Sequence, residues 1–108
     1  MGRVKRKIAM AAAEARIAPP PPAECALCGR LFGARVEWHH VVPKSKGGTQ
    51  TAPVHPICHR AIHAAADNNT LARLADLEAV RALPAMSRFL RWIANKPPDF
   101  HAPTRRPR

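Results

Sequence analysis

Two short segments with the same spacing, Cys25-x-x-Cys28 and His55-x-x-Cys58, constrain this chain more than any other feature. Together they offer three thiolates and one imidazole, a common tetrahedral zinc set. An ion held by both would tie positions 25 and 55 together before any core is considered. The alternative makes Cys58 a small buried apolar residue and His55 a surface imidazole. A redox role for Cys25 and Cys28 has less support, because no strand-to-helix pattern surrounds them. A staple of this kind suits the composition. At 108 residues there is room for one small domain; 46% of the residues are hydrophobic, but much of that is alanine and only 5% is aromatic. The core is expected to be thin, and small thin-cored domains often need a metal or a disulfide. Three Cys is an odd count, which argues against a closed disulfide framework.

No apolar run follows the charged N-terminus, and no stretch approaches the ~20 apolar residues of a membrane span. The expectation is a cytoplasmic protein of a reducing compartment, with no membrane partner. The balance of 18 Lys and Arg against 7 Asp and Glu gives a net charge of +11. Charge on that scale points to a polyanion, since neutralised phosphates release counterions. An anionic membrane surface is disfavoured because no strongly apolar helix face accompanies the charge.

Arg3 to Ala18 has helical composition and a basic start; a helix and an arm that folds on DNA are both open. Pro19 to Pro22 ends it as a stiff spacer. Leu31 to Val42 is strand-like. The span from Glu37 to Pro53 reads as two short strands joined by a glycine-containing loop. Ile57 to Ala66 suits a helix, closed by Asp67, Asn68 and Asn69. Thr70 is expected to cap a short helix through Leu71, Leu74 and Leu77. Pro84 opens a last helix in which Met86, Phe89, Leu90 and Ile93 follow core periodicity. Trp38 is expected in the core rather than as a base-stacking platform, Trp92 and Phe89 in the core too, His101 exposed, and Arg105, Arg106 and Arg108 in a basic tail.

Four of the six histidines form a second group: His39, His40, His59 and His63. On a helix, His59 and His63 lie one turn apart on one face. His39, on the preceding strand, completes a three-imidazole set able to bind zinc, nickel or a similar divalent ion with positions left open. Adjacent strand residues point to opposite faces, so His39 and His40 divide into one ligand and one base. A purely structural four-His cluster is the alternative.

The stretches CALC, EWHHVVPKSKGG and HPICHRAIH, spanning Cys25 to His63, resemble the HNH endonuclease family. The C-terminal RFLRWIANKPPDF is similar to that of small bacterial and phage members. The resemblance implies an α+β fold: a ββα-metal core with zinc-knuckle support and flanking α-helices. It divides the chain into a basic extension and Pro-rich linker (1–22), the nuclease core (23–67), a helical part (68–98) and a tail (99–108). By the same resemblance His40 is the general base, and His39, His59 and His63 hold one catalytic divalent ion (Mg²⁺, Mn²⁺, Ni²⁺ or Zn²⁺). Cys25, Cys28, His55 and Cys58 hold structural Zn²⁺, His55 replacing the family's usual Cys. Gln50 stands where the family has the Asn that braces the loop carrying the base. The implied activity is hydrolysis of DNA, most simply double-stranded, to 5′-phosphate and 3′-hydroxyl ends. Lys44, Lys46 and Arg60 are candidate phosphate contacts. The competing readings are a non-catalytic zinc-binding nucleic-acid module and a toxin-like nuclease acting on RNA.

Overall fold

Residues 21–103 are described by a computed structural model. The expectations for Arg3 to Ala18 and for Arg105, Arg106 and Arg108 lie outside the described residues. The architecture is α+β. Strands β1 (Glu37–His40) and β2 (Thr51–Val54) form an antiparallel ribbon. Four helices follow: α1 (Pro56–Ala65), α2 (Asn68–Leu74), α3 (Leu77–Arg81) and α4 (Pro84–Ile93). No helix among the described residues is long and apolar enough to cross a membrane.

In the ribbon Glu37 pairs with Val54, Trp38 with Pro53, His39 with Ala52 and His40 with Thr51. Both strands are edges, so Pro53 costs no ladder bond that a central strand would require. Its carbonyl instead accepts from the Ala26 amide at 2.8 Å, which hangs the Cys25–Cys28 turn on β2. Only Glu37–His40 of the strand-like stretch Leu31 to Val42 pairs in the ribbon. Leu31 makes an isolated bridge with Glu24 that closes the base of the Cys turn.

The loop between the strands explains its two glycines. A single 3-10 turn, Lys44–Lys46, ends at Gly47, whose φ of 86° is left-handed and favours a residue without Cβ. Gly48 has ordinary φ, but a Cβ there would collide with the Val42 carbonyl. Its amide donates to the Pro43 carbonyl at 3.1 Å, so the loop folds back on itself directly after the His pair.

Pro56 opens α1 at a position where its missing N–H is no loss. Helix α1 buries Ile57, Cys58, Ala61 and Ile62, and α4 packs across it through Met86 and Ile93. Cys25, Leu27, Val54, Ala66, Leu71 and Val80 complete the buried cluster, with Phe89 and Leu90 partly buried against it. The core is thin, as the composition implies.

Three local expectations are corrected. Asp67, not Thr70, caps α2: its carboxylate accepts from the Thr70 amide at 2.8 Å. The helix does not run through Leu77. It ends at Leu74, because Ala75 takes a left-handed φ of 50°, and Asp76 then caps the separate α3. Trp38 and Trp92 are not core residues; 53% and 46% of their surface is exposed. Trp38 sits on the strand face opposite His39, where it lines a recess with His40, His59 and His63. Trp92 is on the outer side of α4, where it packs edge-on against Phe100 and against Phe89 instead.

Candidate metal centres

Cys25, Cys28, His55 and Cys58 converge, with one donor atom from each lying within 4.8 Å of all the others. Ligands held ~2.0–2.3 Å from one zinc sit roughly 3–4 Å from one another, so the group is of the size such an ion requires. His55 Nδ1 lies 3.5 Å from Cys28 Sγ and 3.8 Å from Cys58 Sγ. Its Nε2 is 3.0 Å from the Leu31 carbonyl, which can only accept. The ring proton therefore sits on Nε2, and the Nδ1 lone pair faces the sulfurs, the tautomer that a metal needs. Among the sulfurs, hydrogen bonds from Cys28 and Cys58 hold the Cys25 thiol below its ordinary range. The Cys28 and Cys58 thiols are pushed up, first by their hydrogen bonds with Cys25. Three sulfurs and one imidazole nitrogen converging on one point are a set suited to a cation. These four residues can hold a structural zinc ion.

The second group is built by β1 and α1. His39, His59 and His63 each bring a ring nitrogen within 4.8 Å of the other two, and their ring centroids are 5.0–5.4 Å apart. His39 is 1% exposed, yet neither of its ring nitrogens has a hydrogen-bond partner among the described residues. A buried imidazole without a partner costs free energy unless something else satisfies it. A divalent ion shared with His59 and His63 would do so. Burial pushes His39 down to about 4, and the neighbouring His59, His63 and His40 add to the shift. Burial also lowers His63, with His59 contributing. Both are neutral near pH 7, which is the ligating form.

One participant is invisible to motif reading. Glu37 Oε1 accepts a hydrogen bond from His59 Nδ1 at 2.9 Å, which leaves the His59 Nε2 lone pair for the shared centre. The signal available in the sequence was its position two residues before His39, on the same face of β1.

The remaining candidates are distributed unevenly. His40 is half-buried at the end of β1 and lines a recess of about 250 Å³ together with His59, His63, Trp38 and Lys44. Lys46 is exposed in the same turn as Lys44 but does not line that recess. Arg60 is on the exposed side of α1, with Nη1 3.1 Å from His101 Nε2. The exposed side chain of Gln50 makes no hydrogen bond among the described residues. Its main chain braces the loop, the carbonyl accepting from the Val41 amide at 3.0 Å.

The HNH endonuclease family model matches residues 25–65, the span that contains both metal groups. The chain belongs to the HNH endonuclease family. It is also similar to a Bacillus subtilis strain 168 protein described as uncharacterized protein YisB, at 42% identity over 78 residues, or 69% of this chain and 77% of that one. No solved structure matches the chain.

Proposed function

We propose that this HNH protein is a metal-dependent DNA endonuclease or nickase that leaves 5′-phosphate and 3′-hydroxyl ends. The observation that carries the reading is the buried His39, without a hydrogen-bond partner among the described residues and grouped with His59 and His63, two residues that line a recess together with His40. His39, His59 and His63 would hold the divalent ion. When bound, that ion supplies positive charge against the charge that builds on the phosphate and the leaving oxygen.

The rest of the chemistry falls to the chain. His40 is bound to neither metal group and stands at the recess, where it accepts a proton from the attacking water; base catalysis of this kind is worth ~10²–10⁴-fold. Lys44, on the recess wall, pairs with a phosphate oxygen and offsets the repulsion between that anion and the incoming nucleophile. Burial keeps His39 and His63 neutral at pH 7, each with a ring-nitrogen lone pair to offer the ion. The net charge of +11 supports a polyanionic substrate and draws duplex DNA to the site.

Plasmid relaxation with added Mg²⁺, Mn²⁺, Ni²⁺ or Zn²⁺ tests the reading. The wild-type chain is expected to nick supercoiled DNA, and His40→Ala to lose ~10²–10⁴-fold of that rate with its zinc content unchanged. A wild-type protein that binds DNA but cuts under none of these ions would replace the enzyme with a non-catalytic binding module. Faster cleavage of RNA than of DNA would reassign the substrate.

A further inference from the structure

The two exposed tryptophans provide an internal comparison. Trp92 is partly open to solvent but occupied: its ring centroid is 5.5 Å from that of Phe100 and 6.0 Å from that of Phe89, and Lys96 Nζ lies 5.5 Å above it. Trp38 is more exposed and makes no aromatic or cation–π contact among the described residues. It also lies elsewhere, on the same face of β1 as His40, at the rim of the recess lined by His40, His59 and Lys44. A large flat apolar side chain left open beside an anion-accepting recess, in a chain of net charge +11, is matched to a ligand with both a negative charge and a π-face.

From this we infer that Trp38 is a stacking platform for an unpaired base next to the phosphate bound in the recess. A nucleotide whose phosphate meets Lys44 has its base within reach of the neighbouring indole. In an intact duplex both faces of that base are covered by its neighbours, so the indole can engage it only after it leaves the stack. The inference therefore sets the substrate form: single-stranded DNA, or duplex DNA opened at the cleavage point. It rests on the nuclease reading for its location, but not for its measurement.

The test uses the full chain carrying Trp92→Phe and His40→Ala, so that Trp38 is the only indole and cleavage does not intrude. Emission is followed while a short single strand, its matched duplex and the same duplex with a central mismatch are added at fixed salt. Quenching is expected with the single strand and the mismatched duplex, and little with the matched one. Adding Trp38→Ala should weaken single-strand binding by roughly 5- to 150-fold, the equivalent of ~1–3 kcal/mol per stacked base, while Trp38→Phe keeps most of it. Matched-duplex affinity should change little. No quenching, or an equal loss on single strand and duplex, overturns the platform. Nicking by the wild type with no response from Trp38 would fail this inference alone. Quenching without nicking under any metal would instead fail the nuclease reading.

Discussion

Replacing Cys25 by Ser should unfold this protein rather than trim it. The turn from Cys25 to Cys28 carries Leu27, which is fully buried, and the paired ligand His55 is 2% exposed with its Nε2 bonded to the Leu31 carbonyl. If the turn lets go, Leu27 leaves the core, at a cost comparable to a Leu→Ala change of ~2–5 kcal/mol. Loss of the buried His55–Leu31 bond adds about 0.5–1.5 kcal/mol. Few other contacts can compensate, because only twelve apolar residues are buried among those described. A total of about 3–6 kcal/mol stands against the ~5–15 kcal/mol of a typical domain. With ~4–8 °C per kcal/mol at this size, Tm should fall by at least about 12 °C, or no folded state should remain. Zinc per chain, measured by plasma mass spectrometry, should fall from one to near zero at the knuckle, and thermal melting by circular dichroism should show the drop. A Cys25→Ser protein that keeps one tightly held zinc and melts within a few degrees of its parent would refute the argument.

Other expectations follow from the second centre and its loop. Glu37→Ala should weaken divalent-ion binding at the three-His site by about 10–100-fold in calorimetry, with the knuckle zinc untouched, because His59 loses the acceptor that fixes its tautomer. Without metal in that site, His39 binds its proton only near pH 4 in the folded protein, against ~6.5 when unfolded. The unfolded state therefore takes up protons first, and stability should fall as pH drops from about 6.5 towards 4, with no such term above 6.5. Urea titrations should show a shallower acid slope for His39→Asn than for the wild type; equal slopes would contradict this. Gly48→Ala, which drives a Cβ into the Val42 carbonyl, should cost about 1–3 kcal/mol in urea unfolding and displace the loop that follows the His pair.

The sequence announces the ligands because metal chemistry restricts both residue type and spacing. Cys25, Cys28, His55 and Cys58 could be grouped before any coordinates, and so could His39, His59 and His63. The ribbon and the helix after it were readable too, from glycines and prolines that few conformations accept. Legibility failed where the outcome depended on what lies across from a residue. Alternation put Trp38 opposite His39 but could not say that more than half of its surface stays open. The end of α2 is set by Ala75 in a left-handed conformation normally signalled by Gly or Asn, so no letter marked it. Asp67 and Thr70 are both competent caps, and only the path of the chain chose between them. Glu37 carries no motif of its own, and only the fold brings it to His59.

Cys58 and His59 are consecutive on α1, yet they turn towards different metal groups. Neighbouring residues on a helix point about 100° apart, so a zinc gripping Cys58 sets the angle at which the whole rod is clocked about its own axis. His59 and His63 inherit that setting. Zinc removal should therefore weaken the three-imidazole site although none of its own atoms has been touched, and a slip of one residue would swing both helix ligands away from His39. The knuckle would work as a keyway: an ion held in it would determine the direction in which the three-imidazole group faces.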